Sequence, residues 1–324
     1  MVPTTELCGR ATQYHTEVAT VITQGLLSLL WCPTCRSSGL RAEGLQAGQL
    51  PMDQGELVCD ACGSRYPVEN GVPALMPRDG TNTEAWDLWR RHLEKFQARR
   101  EDRIANPNRL VTRSMSVSRP NEPFAAFTGI KAGRVLDIGC GPGKFRFNFD
   151  ESNVEYVGLD PIVLPEIGDF PFVRGLAEYL PFANGTFTDV VVLAALDHFR
   201  DTARFFQEAR RVLTPNGRLH ILQSVHDLDG PVSAVKVLTH KVKDVIEDWN
   251  TNDHGSDVPK HLSEYTRRSL MDVADPYFSS VRTEEFSAAW YSPTKLFLTL
   301  SPRKTAFDGV AMDSVGASSV APPL

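Results

Sequence analysis

Val135–Phe145 reads VLDIGCGPGKF, an apolar run that passes straight into a loop of alternating glycines. Where a strand ends and backbone must come close to a ligand, residues without Cβ are needed, and Gly139, Gly141 and Gly143 supply them. Two ligand classes fall away on spacing. A phosphate-cradling P-loop needs glycine at position 138 and Ser or Thr after Lys144, and those places hold Ile138 and Phe145. A dinucleotide fingerprint is G-x-G-x-x-G; here the loop is G-x-G-x-G, and Lys144–Asp150 leaves room for only a short helix.

The acids around the loop narrow the choice. Asp137 stands just before it, and Asp160 ends the next apolar run, EYVGLD. Asp137 can meet an ammonium group and Asp160 can accept both hydroxyls of a free ribose, whereas a pyrophosphate would be repelled. This pairing leaves S-adenosylmethionine as the expected ligand.

Further along come GLAEYLPFANGTFTDVVV (175–192), ALDHF (195–199) and EARRVLTPNGRLHIL (208–222). Together with the glycine loop, residues 130–225 closely resemble class I methyltransferases, particularly the type 11 group that includes ubiquinone and menaquinone methyltransferases. The resemblance implies that Asp137, Gly139, Cys140, Gly141 and Gly143 surround the methionine part of the donor and that Asp160 with Pro161 holds the ribose. It places Leu176, Ala177 and Glu178 around the adenine, with Ala195 and Leu196 on the floor. Two departures stand out. Many relatives have Asp where Leu176 stands, which leaves the adenine amine to backbone groups or Glu178. Pro161 to Pro171 is too short and proline-rich for the usual second helix, so a trimmed fold is expected. Cys140 is read as a packing residue.

The expected fold is α/β: a Rossmann-like seven-stranded methyltransferase sheet over residues 121–303, with a small N-terminal zinc-ribbon module. Alternating strand-like and helix-like pieces support it. Strands are expected at Arg134–Ile138, Tyr156–Leu159, Phe172–Val173, Asp189–Leu193, Arg218–Gln223, Ser280–Glu285 and Lys295–Leu300. Thr202–Leu213 reads as a helix with Ala203, Phe206, Ala209, Arg210 and Leu213 along one stripe. Residues 304–324, rich in Ser, Ala, Gly and Pro, read as a disordered tail.

Residues 1–80 carry Cys32-Pro-Thr-Cys35 and Cys59-Asp-Ala-Cys62, two knuckles that can bring four thiolates around zinc. LLSLLWCPTC (26–35) and LVCDACGSRYPVENGVPALMP (57–77) resemble the small zinc-ribbon proteins that activate tRNA, rRNA and release-factor methyltransferases in trans, here fused in cis. A closed four-thiolate site has no open position, so the zinc is expected to be structural. The ribbon is also a candidate surface for a protein partner. Residues 81–120 form a connector in which Ala85, Trp86, Trp89, Leu93 and Phe96 recur at helical spacing, and it is the most basic zone, with nine Lys/Arg against five Asp/Glu.

Methyl transfer asks the protein for positioning, and for a base where the acceptor holds its proton tightly. The candidates follow the fourth and fifth strands: His198, with Asp197 or a backbone carbonyl to orient it, and His226, followed by Asp227. His220 lies within a strand and reads as structural. Asp253, His254, Asp257 and His261 form a polar loop cluster that suits acceptor binding or a divalent metal. Before it, Val235, Leu238, Val242, Val245 and Trp249 make one apolar helical face that can serve as a lid or pack on the core.

The expected activity is methyl transfer to a hydroxyl or amine of a small molecule, sugar or secondary metabolite. An RNA methyltransferase is the alternative, and a non-catalytic adaptor the second. A net charge of −6 and five Lys/Arg to eight Asp/Glu over residues 1–80 argue against nucleic acid. The chain also lacks N-P-P-Y after the fourth strand and the Pro-Cys nucleophile of cytosine C5 chemistry. Intact acids and glycines argue against the adaptor. The apolar stretch Val18–Trp31 is too short to span a bilayer and has no small-residue cleavage site after it, and paired thiols suit a reducing compartment, so a cytoplasmic protein is expected.

Overall fold

The computed structural model describes residues 22–43, 53–77, 84–105, 121–163, 170–226, 238, 242, 261–287 and 294–304. The main sheet has seven strands: β5 (Gly133–Ile138), β6 (Val154–Asp160), β7 (Phe172–Arg174), β8 (Phe187–Leu193), β9 (Leu213–Val225), β10 (Phe278–Phe286) and β11 (Thr294–Pro302). Their spatial order is β10-β11-β9-β8-β5-β6-β7. The pairs β5/β6, β5/β8, β6/β7 and β8/β9 are parallel, while β11 runs antiparallel to both β9 and β10. All seven expected strands are present. β9 begins earlier than expected because Leu213 pairs with Phe187 across a register shift.

β5 is flanked by β6 on one side and β8 on the other, so the chain order reverses there and a crevice opens at the carboxyl ends of β5 and β8. The glycine loop leaves β5 at that crevice. It ends in a short 3-10 turn over Lys144–Asn148, as the limited length required.

Two helices cover one face of the sheet. α4 (Thr202–Val212) starts at Asp201, whose side chain accepts from the Arg204 N–H. Its buried face consists of Phe205, Phe206, Glu208, Ala209 and Val212, about one position round from the stripe expected. The cause is Phe205, which stacks between Phe199 and Phe206 and turns Ala203 and Arg210 toward the margin. α5 (Arg267–Ala274) opens with a capping box between Thr266 and Ser269. On the far face, α3 (Asn121–Thr128) inserts Phe124 and Phe127 against Phe297.

The N-terminal module begins with α1 (Gln24–Leu29) and continues as an antiparallel sheet of β1 (Leu40–Glu43), β2 (Gly55–Cys59), β3 (Arg65–Glu69) and β4 (Val72–Pro73). Its apolar residues do not form a separate core. Ile22, Leu26, Leu30, Leu57, Tyr66, Val68 and Leu75 are continuous with Val157, Leu180, Phe182 and Phe206 of the larger domain. Backbone joins them too: Trp31 N–H donates to Pro181 O, Ala183 N–H to Leu29 O, and Leu75 N–H to Arg174 O. Ala74 forms a parallel bridge with Arg174, so the free edge of β7 is covered by this chain.

The connector becomes α2 (Glu84–Ala105), 22 residues long. The polar part of the connector after it, residues 106–120, lies outside the described residues, as do 304 onward except Lys304 itself, most of Pro161–Pro171, and all of the proposed lid face but Leu238 and Val242. Those two are helical and exposed. Among the described residues no helix is long and apolar enough to cross a membrane.

Candidate functional site

The crevice at the switch point holds a pocket of about 140 Å³, open to solvent on one side. Its floor is the end of β5 and β8. Gly139 has φ +72°, and a Cβ there would lie 2.4 Å from Ala195 Cβ, so only glycine lets the two strand ends approach. Gly143, at φ +69°, has the Phe170 ring where its Cβ would be, at 2.4 Å. Gly141 takes φ +53°.

Asp160 is fixed at the pocket wall by two backbone donors: Gly141 N–H to Oδ2 and Ile162 N–H to Oδ1, both 2.9 Å. A carboxylate oxygen can accept more than one hydrogen bond, so a carboxylate at this place fits a bidentate ribose contact. Asp137 sits below the loop at 1% exposure, and the Tyr156 hydroxyl donates to its Oδ2. Oδ1 is buried with no hydrogen-bond partner among the described residues. Burial pushes this carboxyl up to about 7, with the Tyr156 hydrogen bond opposing and the Asp160 charge adding to the rise. A buried acceptor without a donor is what an ammonium group would satisfy, so these residues fit the amino-acid end of S-adenosylmethionine.

Pro161, Leu176, Ala177, Glu178, Ala195 and His198 join Gly139 and Asp160 in lining the pocket. Asp137, Cys140, Gly141, Gly143, Leu196 and His226 are not among the lining residues. Leu196 is fully buried beneath it. Cys140 packs its Sγ where a Cβ on Gly158 would be, and burial next to Asp137 and Asp160 pushes its thiol well above the usual range. Glu178, considered for the adenine amine, spends Oε1 on the N–H groups of Arg200 (2.8 Å) and Asp201 (3.2 Å), and burial raises its carboxyl. It holds the start of α4 in place.

The sequence reading missed a whole wall. Trp89, His92, Leu93 and Phe96 of α2 line the pocket opposite the glycine loop. Trp86 and Trp89 pack on Leu176, and Arg200 lies over the Trp86 ring at 4.6 Å. Their helical spacing was visible in the sequence; the surface they pack on was not.

His198 ends at the open side of the pocket. Its Nδ1 lies 3.0 Å from His92 Nε2, so His92, and not Asp197, orients the ring. Asp197 is on the other side, Oδ1 3.9 Å from His198 Nε2 and Oδ2 2.7 Å from His261 Nδ1. His226 is half-buried near this group, its backbone N–H bonded to Tyr265 O, and burial lowers its imidazole below the usual value. Of the acidic loop cluster only His261 is described; Asp227, Asp253, His254 and Asp257 lie outside the described residues. His220 is a satisfied buried histidine, bonded to Thr299 and Asp189 at 3.0 Å each.

In the ribbon, the four cysteine sulfurs lie within 4.8 Å of one another, with Cys32–Cys62 at 3.7 Å and Cys35–Cys59 at 3.6 Å. Zn–S bonds of about 2.3 Å in a tetrahedron separate sulfurs by roughly 3.8 Å, so this set fits zinc. The two knuckles are alike. Arg36 N–H donates to Cys32 O and Gly63 N–H to Cys59 O, both 2.8 Å, and both residues take positive φ, 60° and 69°.

Comparison with known proteins finds two family matches in the chain. Residues 136–221 match the methyltransferase domain family, and residues 24–71 match the Trm112p-like protein family. An uncharacterized methyltransferase of Mycobacterium bovis is 34% identical over 120 residues, 34% of this chain and 48% of that protein. The ubiquinone/menaquinone biosynthesis C-methyltransferase of Haemophilus ducreyi is 31% identical over 122 residues, 33% of this chain and 47% of that protein. The chain thus spans about half the length of the curated relatives it matches. A solved structure, the 1,6-didemethyltoxoflavin-N1-methyltransferase of Burkholderia thailandensis with bound S-adenosylhomocysteine, aligns with TM-score 0.45 and 19% identity over 65% of this chain and 90% of that one.

Proposed function

From a chain that carries a methyltransferase domain and a Trm112p-like zinc ribbon, we propose an S-adenosylmethionine-dependent methyltransferase acting on a hydroxyl or amine of a small molecule, sugar or secondary metabolite. The observation that carries the reading is Asp160, pinned by the Gly141 and Ile162 N–H groups at the wall of a pocket floored by the glycine loop. Bound there, the donor supplies an electrophilic methyl on a sulfonium.

The chain's own residues position the two reactants. Asp137 pairs with the donor's ammonium, Asp160 and Pro161 hold its ribose, and Leu176, Ala177 and Ala195 flank the rest. Gly139, Gly141 and Gly143 let backbone close around it, while Cys140 and Leu196 pack behind. The α2 wall of Trp89, Leu93 and Phe96 keeps water from the apolar side. His198 acts on the acceptor, since it lines the pocket, and His226 shapes the polar surroundings from behind. Zinc in the ribbon is structural. Thiols at all four positions suit a reducing, cytoplasmic setting.

Support for a small acceptor comes from the overall negative charge, which gives no general attraction to a phosphate backbone. The test is transfer of labelled methyl from S-adenosylmethionine into a cell extract, followed by separation into RNA, protein, polysaccharide and small-molecule fractions. Label among small molecules or glycans is expected. Label lost on ribonuclease treatment would replace this reading with the RNA one, and failure of the purified chain to bind the donor would favour an adaptor.

A further inference from the structure

The polar cluster at the mouth of the pocket is more elaborate than a single base requires. Asp197 is buried, its side chain 12% exposed, and Oδ1 has no hydrogen-bond partner among the described residues. One ligand atom each from Asp197, His198 and His261 lies within 4.8 Å of the other two. The 3.9 Å between His198 Nε2 and Asp197 Oδ1 is too long for a hydrogen bond. An ion between them with bonds of about 2.0–2.2 Å would hold the two atoms roughly 3.4 Å apart at a tetrahedral angle, so a small inward shift of either side chain suffices.

The surroundings hold these atoms in place. His92 engages His198 Nδ1 at 3.0 Å, which leaves Nε2 turned toward Asp197, and ligating histidines ordinarily have their other nitrogen engaged in this manner. Leu262 N–H (2.8 Å) and Ser263 N–H (3.2 Å) both donate to the Asp197 backbone carbonyl, so the chain after His261 is tied to the residue its ring faces. The His198 and His261 rings stack with centroids 5.1 Å apart.

We propose that Asp197, His198 and His261 form a binding site for a divalent first-row transition metal on the acceptor side of the donor pocket. Two imidazoles and one carboxylate are the donor set such ions take, and three protein ligands leave positions open for an exogenous oxygen. The site deepens the methyltransferase reading and rests on it for its role. The substrate class it selects is an acceptor bearing a hydroxyl, favourably a vicinal pair that can chelate. The ion favours the ionised form of that hydroxyl, whose proton goes to solvent. The O–CH3 bond then forms as the S–CH3 bond breaks, and S-adenosylhomocysteine leaves. His198 serves here as ligand, not as base.

The test is a metal count on the full chain with its ribbon zinc retained, after titration with Co2+ and removal of loosely bound ion. The expected result is two ions per chain in the wild type and one in Asp197→Asn and His261→Ala. The second equivalent should add ligand-field bands without sulfur-to-cobalt charge transfer. One ion per chain in the wild type overturns the proposal, and this outcome needs no variant to fold. So do two ions in all three proteins, because the second then sits elsewhere. S-adenosylhomocysteine binding is measured on the same samples: donor binding with a single metal sinks only the new site, whereas loss of donor binding in the wild type sinks the methyltransferase reading itself.

Discussion

Asp137 and Gly139 show how much of the donor pocket depends on single side chains. With Asp137 pushed up to about 7 in the free protein, chiefly by burial, its charge is lost as the pH falls through that value. If Asp137 pairs with the donor as proposed, binding needs this carboxylate ionised and the donor's α-amino group protonated, the latter titrating at about 8. Affinity should therefore peak between about pH 7 and 8. Its acid limb should vanish in Asp137→Asn, together with about 1.5–3 kcal/mol of binding, read by calorimetry across pH. Gly139→Ala combines φ +72° with a 2.4 Å approach to Ala195 and should cost about 1–3 kcal/mol of stability and abolish donor binding. Thermal unfolding with and without S-adenosylhomocysteine measures both. A Gly139→Ala protein with wild-type affinity would contradict the close-approach argument.

At the scale of elements, α4 is the hinge between ribbon and pocket. Its Glu208 is 3% exposed and accepts from Arg211 at both oxygens, 3.0 and 2.8 Å, while Arg36 of the first knuckle reaches Oε1 at 2.8 Å. Arg211 also donates to the carbonyls of Leu180 and Phe182, the loop on which Trp31 and Leu29 dock. Removing Arg211 leaves a buried carboxylate short of its main partner, and Arg211→Ala should cost about 3 kcal/mol or more in urea unfolding. Arg36→Ala, which removes a half-exposed side chain and leaves Glu208 its two bonds to Arg211, should cost about 1 kcal/mol or less. Equal losses would mean that the ion pair, and not the loop carbonyls, sets the energetics. α2 makes the same point about legibility. Trp86, Trp89, Leu93 and Phe96 are an apolar stripe in any reading, but a stripe carries no record of which surface it covers. The neighbouring Leu176 is at least 80 positions away in the chain, and Gly139 of the pocket more than 40.

Over the whole molecule, the ribbon and the methyltransferase domain share one core, and the ribbon's tail covers the β7 edge. With zinc bound in its four-thiolate site, a small module of this kind would gain its folding energy from the metal and from that shared surface together. Chelating the zinc should lower the melting temperature of the entire chain in one cooperative transition. Two separate transitions, the ribbon melting first, would show that the shared core is energetically slight. Calorimetry with and without chelator distinguishes the two.

The pieces written in local order were legible in the sequence: seven strands at their places, the left-handed glycines, Asp137 and Asp160 flanking the loop, and two thiol knuckles that fit one zinc. Each depends on the residues within a few positions, because backbone conformation and strand burial are set by neighbouring side chains. What only the tertiary structure decided are the meetings between distant segments. Glu178 was expected beside the adenine; it lines the pocket, and its Oε1 is engaged by the N–H groups of residues 200 and 201, more than 20 positions further on. Asp197 or a backbone carbonyl was expected to orient His198; His92, 106 residues before it, meets its Nδ1, and Asp197 faces His261. The ribbon's docking on its own domain is of the same kind. Such contacts depend on how one apolar face packs against another, and a side chain's polarity and spacing state only that it has a face to bury, not what will cover it.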